Sequence, residues 1–158
     1  MDADGYLRLT DRKKNLIKTA GGKYVVPARL EMLVKGEPAV GSVYIHGDQR
    51  PYVVALITID PREAPRLAQE LHVPHDHIDR LHEHPEMRRR IDQAVARANE
   101  KLARFEQIKR HALLPRDFSQ EEGTLTATLK IKRREVAKRY AAEIDALYAQ
   151  AEAARATN

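Results

Sequence analysis

Tyr52-Val53-Val54-Ala55-Leu56-Ile57-Thr58-Ile59 is the most apolar run of the chain. It is too short for an ordinary buried helix and rich in β-branched residues, which marks it as a central strand. On its N-terminal side, His46-Gly47-Asp48-Gln49-Arg50-Pro51 reads as a turn. Before that turn, Pro38 to Ile45 reads as a second strand, with Val40, Val43 and Ile45 as its apolar positions. On the other side, Asp60 suits an N-cap and Pro61 a first helical position, so a helix is expected from there to about Leu71. Strand signals before the run and helix signals after it point to an α+β domain.

The same reading extends to both ends. Asn15 to Thr19 and Lys23 to Val26 bracket Ala20-Gly21-Gly22 and read as a β-hairpin. Glycine there accepts positive φ and lets another backbone or a ligand come close. Pro27 opens a short helix through Lys35, ended by Gly36, with Leu30, Leu33 and Val34 on its apolar side. Residues 72–84 form a histidine-rich connection with one short helix expected in it. Pro85 to Ala103 is a long amphipathic helix, because Met87, Ile91, Val95, Ala98 and Leu102 recur at helical spacing. Phe105 to Leu114 contains a strand in which Ile108, Ala112 and Leu114 share one parity. After the polar loop Ser119-Gln120-Glu121-Glu122-Gly123, a terminal helix is expected from about Lys132 to Ala154, with the stripe Val136, Tyr140, Ile144, Leu147 and Tyr148. The expected fold is α+β: a small mixed β-sheet with a β-hairpin, flanked by helices.

The 158 residues suffice for one domain with a real core. A net charge of +5 and a pI near 9.5 suit nucleic acid, anionic lipid or phosphate-rich small molecules, and equally a solvated basic surface. Aromatics make up only 5% and are not interleaved with the basic residues, which argues against a nucleic-acid stacking surface. Cysteine is absent, so disulfides, thiolate metal sites and cysteine nucleophiles are excluded. No run approaches the ~20 apolar residues of a membrane-spanning helix, and no basic-then-apolar leader is visible. A cytoplasmic protein is the simplest expectation. A single methionine ahead of the Asp2-Ala3-Asp4-Gly5 turn suggests a piece cut from a longer chain. His72, His75, His77, His82 and His84 lie among Asp76, Asp79 and Glu83, but their spacing fits no metal motif, so no metal site is expected.

Two stretches carry chemistry. The first is Asp11-Arg12-Lys13-Lys14-Asn15-Leu16-Ile17-Lys18-Thr19-Ala20-Gly21-Gly22-Lys23-Tyr24-Val25-Val26-Pro27-Ala28-Arg29-Leu30-Glu31. The second is Gly123-Thr124-Leu125-Thr126-Ala127-Thr128-Leu129-Lys130-Ile131-Lys132-Arg133-Arg134, preceded by Phe105-Glu106-Gln107-Ile108-Lys109-Arg110. Taken by itself, Lys130 is one lysine in a basic run, and such runs are ordinarily solvated faces. Taken together and in this order, the stretches resemble the hinge and the catalytic-lysine motif of the adenylate-forming superfamily. Within it, the chain most resembles the C-terminal domain of long-chain acyl-CoA synthetases (fatty-acid–CoA ligases), over nearly its whole length.

That resemblance implies a division of the chain. Residues 1–14 would be the end of the large-domain strand and the interdomain hinge. Residues 15–154 would be the small lid domain, with a His-rich helical insertion around 61–104, and 155–158 a frayed tail. It implies a two-step reaction: a fatty-acid carboxylate attacks the α-phosphate of ATP, and the thiol of coenzyme A then attacks the acyl-adenylate. The small domain rotates between the steps. Lys130 matches the catalytic lysine of the first step, Arg12 a nucleotide-binding arginine and Lys14 the hinge position. Gly21 and Gly22 match the loop of the coenzyme A channel, with Lys23 beside it for phosphate. Lys132, Arg133 and Arg134 would lie around the helix start or assist with phosphate. ATP with Mg would be held mainly by the large N-terminal adenylation domain, the partner this chain would need, so the chain alone is expected to be inactive. Peripheral membrane contact of the full enzyme is a further expectation. A fatty acyl-AMP ligase or another acyl-activating enzyme is the runner-up, and a basic nucleic-acid-binding module the more distant one.

Overall fold

In the computed structural model, which describes residues 15–156, the elements follow the order β1 (Ile17–Lys18), β2 (Tyr24–Val25), α1 (Pro27–Val34), β3 (Val40–His46) and β4 (Val53–Ile59). Then come α2 (Ala64–Glu70), a 3-10 segment (His75–Glu83), α3 (Pro85–Glu100), a short 3-10 turn (Arg104–Glu106) and β5 (Ile108–Leu113). Two helices close the chain, α4 (Arg133–Arg139) and α5 (Ala141–Ala156). The α+β class and the mixed sheet read from the sequence are both present.

The apolar run is the middle strand of a three-stranded sheet ordered β3-β4-β5. It pairs antiparallel with β3 and parallel with β5. Val53 through Ile57 are all 0% exposed, because both faces of the sheet are covered. Val53, Ala55 and Ile57 enter one core with Leu30, Val34, Leu67, Met87, Ile91 and Val95 from α1, α2 and α3. Val54 and Leu56 enter a second core with Val136, Ile144, Leu147 and Tyr148 from α4 and α5. A strand buried on both faces reads as continuous hydrophobicity rather than alternation, which is why this run stands out.

Parallel pairing of β4 with β5 requires a long crossover. Helix α2, the 3-10 segment and α3 are that crossover. The expected stripe of α3 is inside: Met87, Ile91, Val95, Ala98 and Leu102 are all buried. The helical segment expected as an insertion therefore includes a core element. Among the described residues, no helix is long and apolar enough to cross a membrane.

Four local expectations change. Helix α2 begins at Ala64 rather than at Pro61. Asp60 closes a tight turn instead: its Oδ1 accepts the Arg62 amide at 2.9 Å, while the Glu63 and Ala64 amides donate to its carbonyl. The single terminal helix is two, broken at Tyr140 (φ −107°, ψ 26°), whose ring packs 5.9 Å from Phe118. Helix α5 also continues to Ala156, into the segment expected to fray.

The parity of β5 differs as well. Register passes from Val53↔Ile108 to Val54↔Arg110, so one step on β4 matches two on β5. This bulge turns Ile108 to the α1–α3 core with Leu113, and leaves Ala112 and Leu114 facing α4 and α5. A second irregularity lies between Val40 and Val43 of β3, at Gly41. A Cβ at Gly41 would stand 2.9 Å from both the Ile59 carbonyl and Thr58 Oγ1, so only glycine fits there.

The hairpin is present with the register Ile17↔Val25 and Lys18↔Tyr24. It sits on the β3–β4 turn through three bonds. The Gln49 amide donates to the Lys18 carbonyl at 2.9 Å, the Ala20 amide to the Arg50 carbonyl at 2.8 Å, and the Lys18 amide to Asp48 Oδ1 at 3.2 Å.

Candidate functional site

The Lys130 motif folds as a small hairpin with a buried foot and an open tip. Leu125 and Ile131 pair antiparallel, and the Lys132 amide donates to the Thr124 carbonyl at 2.9 Å. The Thr126 amide donates to the Lys130 carbonyl at 2.8 Å, and the Lys130 amide returns a bond to Thr126 Oγ1 at 3.0 Å. Thr124 is fully buried at the foot; its hydroxyl accepts the Ser119 amide and donates to the Ser119 carbonyl. The chain reverses through Leu129, whose φ is +64° and whose side chain is 68% exposed. Lys130 follows, exposed, and among the described residues its ammonium group has no hydrogen-bond or ion-pair partner. A cation on a held backbone with an unengaged head is what a transferable charge requires.

The glycine loop is open in the same sense. The Gly22 amide donates to the Thr19 carbonyl at 2.9 Å, and the Thr19 amide to the Lys23 carbonyl at 2.9 Å. Gly22 has φ +82°, which explains its glycine. A Cβ at Gly21 or Gly22 would meet nothing within 4 Å, so the loop tip leaves room for another surface or a ligand. Lys23 places Nζ 5.8 Å from the centre of the Phe105 ring, which is 41% exposed. Arg29 of α1 holds that turn in place through an ion pair with Glu106 at 3.2 Å. Arg12 and Lys14, the expected nucleotide and hinge positions, lie outside the described residues.

Of the basic residues after Lys130, Lys132 and Arg134 are exposed. Arg133 stands at the helix start, as the first residue of α4, and its guanidinium is engaged within the domain. Its Nη2 lies 2.8 Å from Glu31 Oε1 and donates to the Ile45 carbonyl at 2.9 Å. Its guanidinium stands 5.1 Å from the centre of the Tyr44 ring. Burial, against the opposing pull of Arg133, pushes the Tyr44 hydroxyl above its usual pKa. The Glu31–Arg133 pair carries no local signal in the sequence, because the partners sit on elements far apart.

The histidine-rich segment divides into separate roles. His84 Nδ1 accepts the Glu86 amide at 3.2 Å and so caps α3. His82 Nδ1 lies 3.0 Å from the Asp79 carbonyl, and His77 lies 3.9 Å from Asp76 on the open surface. Among the described residues no group of three His, Cys, Asp or Glu side chains converges.

The family model of the AMP-binding enzyme C-terminal domain matches residues 14–152. The chain belongs to that family. It is 39% identical over 149 residues to the long-chain-fatty-acid–CoA ligase FadD15 of Mycobacterium tuberculosis, covering 94% of this chain and 25% of the relative. Against the rat long-chain-fatty-acid–CoA ligase 5 it is 32% identical over 148 residues, covering 92% of this chain and 22% of the relative. The chain thus spans about a quarter of the length of these relatives. The A-PCP didomain of carboxylic acid reductase from Segniliparus rugosus, solved in complex with AMP, superposes with a TM-score of 0.66 at 24% identity. That match covers 93% of this chain and 19% of that one, and it shows a shared fold. This AMP-binding enzyme C-terminal domain has two open tips among the described residues: the Lys130 hairpin and the Gly21-Gly22 loop.

Proposed function

We propose that this AMP-binding enzyme C-terminal domain is the moving part of a long-chain fatty-acid–CoA ligase. The observation that carries the reading is the Lys130 hairpin: an unengaged cation on a fixed foot, in a chain whose relatives are named long-chain fatty-acid–CoA ligases. In the first step, a fatty-acid carboxylate attacks the α-phosphate of ATP and pyrophosphate leaves. Two anions must approach each other for this to happen. A unit charge at ~4 Å is worth ~4 kcal/mol to each at an effective dielectric constant of ~20, so one ammonium between them removes much of the repulsion. Lys130 is the side chain assigned to that place, with Arg12 on the nucleotide.

In the second step, the thiol of coenzyme A attacks the acyl carbonyl and AMP leaves. Rotation at Lys14 carries Lys130 away and brings Gly21-Gly22 to the pantetheine channel, with Lys23 near the phosphates. Hinge residues are a few backbone positions that absorb such a change. Mg would enter with ATP, held by its phosphates and by one or two carboxylates of the large adenylation domain. A cytoplasmic enzyme in peripheral contact with membranes belongs to the same proposal, because its fatty-acid substrate partitions into bilayers.

The test is made on the complete enzyme, with the two half-reactions measured separately. Lys130→Ala is expected to slow ATP–pyrophosphate exchange by about 100-fold or more, the usual loss when one preorganised charge-stabilising group is removed. Conversion of supplied acyl-adenylate to the thioester should largely survive. Equal loss in both half-reactions would remove Lys130 from the adenylation role.

A further inference from the structure

Glu31 and Arg133 belong to α1 and α4, far apart in sequence, yet they meet beside Tyr44 and Ile45 of β3. Glu31 Oε1 takes two donors, Arg133 Nη2 at 2.8 Å and the Ile45 amide at 3.1 Å. Arg133 in turn donates to the Ile45 carbonyl at 2.9 Å and lies over the Tyr44 ring. One carboxylate, one guanidinium and both polar backbone groups of Ile45 are thereby tied together. The two side chains are 15% and 28% exposed, so the pair is shielded from much of the solvent. Removing either partner would leave the other charge half-buried and uncompensated, a costly state. Only a planar fork can reach a carboxylate and a carbonyl while stacking on a ring.

The location of this clamp decides its meaning. Arg133 is the first residue of α4, and the N-cap before it, Lys132, gives its amide to Thr124 at the foot of the Lys130 hairpin. Glu31 lies in the helix that directly follows the glycine hairpin. We propose that Arg133 and Glu31 are positioning residues that hold the Lys130 hairpin at a fixed angle to α1, so that Lys130 arrives correctly aimed for adenylation. This rests on the reading of Lys130 given above.

The experiment uses the complete enzyme with Glu31→Gln and Arg133→Lys. Glu31→Gln keeps an acceptor for the Ile45 amide and loses the charge. Arg133→Lys keeps the charge and loses the fork over Tyr44. Each is expected to lower kcat of adenylation by about 10- to 100-fold, the scale of a ~1 Å misplacement, with KM for ATP little changed. Conversion of supplied acyl-adenylate should stay within about twofold of wild type, and either change combined with Lys130→Ala should add almost nothing to the loss. In the chain by itself, heteronuclear NOE values at the Thr128, Leu129 and Lys130 amides should fall in both variants.

A merely structural pair would slow both half-reactions together, and that result, or an unchanged adenylation rate, overturns the proposal. Lys130→Ala in the same assays separates the two ideas. If it divides the half-reactions while Glu31→Gln and Arg133→Lys do not, the clamp proposal alone fails. If Lys130→Ala does not divide them, the reading of Lys130 fails and the clamp proposal with it.

Discussion

Leu125 and Ile131 form a single antiparallel pair, and the loop they close carries Lys130. The pair sits over the α4–α5 core, where both side chains are partly buried against Val136 and its neighbours. The order of the hairpin thus comes from its foot and its backbone bonds, and the Lys130 side chain is free of structural duty among the described residues.

Lys130→Ala should therefore leave the stability of the chain unchanged within about 0.5 kcal/mol, as for exposed positions outside any network. Urea denaturation of the isolated chain checks this. The isolated chain, with or without the change, should show no ATP–pyrophosphate exchange when given a fatty acid. Exchange by the wild-type chain alone would contradict the proposed division of labour between domains.

Leu129 occupies a left-handed conformation, φ +64°, with its side chain in solvent. Strain of ~1–2 kcal/mol is expected for a residue with a Cβ, against ~0.5–1 kcal/mol for the greater freedom glycine loses on folding. Leu129→Gly should stabilise the chain by about 0.5–1 kcal/mol, a rise of a few degrees in Tm. Leu129→Ile should lower Tm, because branching at Cβ makes that conformation worse. Calorimetry on the two variants reads both signs.

Thr58 is fully buried near the end of β4 and satisfies two elements at once. Its hydroxyl donates to Asp117 Oδ1 at 2.6 Å and accepts the Ser42 amide at 2.8 Å beside the β3 bulge. Thr58→Val retains the shape but leaves the Ser42 amide without its acceptor, while Asp117 Oδ1 keeps the Phe118 amide at 2.9 Å, at a cost of about 1–3 kcal/mol. Thr58→Ser keeps both bonds and should cost about 1 kcal/mol for the lost methyl. Denaturant midpoints of the two variants should separate clearly, and equal midpoints would contradict the bonding described.

His46 sits at the end of β3 between Tyr44, whose hydroxyl lies 3.1 Å from its Nδ1, and Tyr148. Burial first, and then the Arg50 charge, hold its pKa below the usual 6.5; Asp145 and Asp48 oppose the shift and Arg133 adds to it. A histidine depressed in the folded state binds its proton more readily when unfolded. Its contribution is fully present above pH ~6.5 and is lost as pH falls through the folded value. Stability should therefore decline from pH 7.5 towards pH 5.5, and His46→Gln should flatten that slope. Paired urea titrations at the two pH values measure it.

The legibility of the sequence varied with the range of the interaction. The β4 run, the Gly21-Gly22 hairpin, the Pro27 helix start and the Met87–Leu102 stripe were readable because each rests on a local dihedral preference or a period within one element. The start of α2 is not legible, because an Asp60 side chain serves a turn as well as it serves a cap. The break between α4 and α5 leaves no mark in the periodicity, because Val136, Tyr140 and Ile144 keep helical spacing across Tyr140. The facing of Ile108 is hidden as well, because a bulge has no signature in an alternating pattern.

By itself, the sequence determined the class of the domain, the family, and the residues that occupy its two exposed tips. Local preference and motif order are enough for those. Tertiary structure alone decided the sheet order β3-β4-β5, the parallel closure by β5 and the bulge that redistributes its side chains between two cores. It alone joined Glu31 to Arg133 at the start of α4. Partners distant in sequence are chosen by the packing of whole elements, and no residue spacing records which charge will be carried to which.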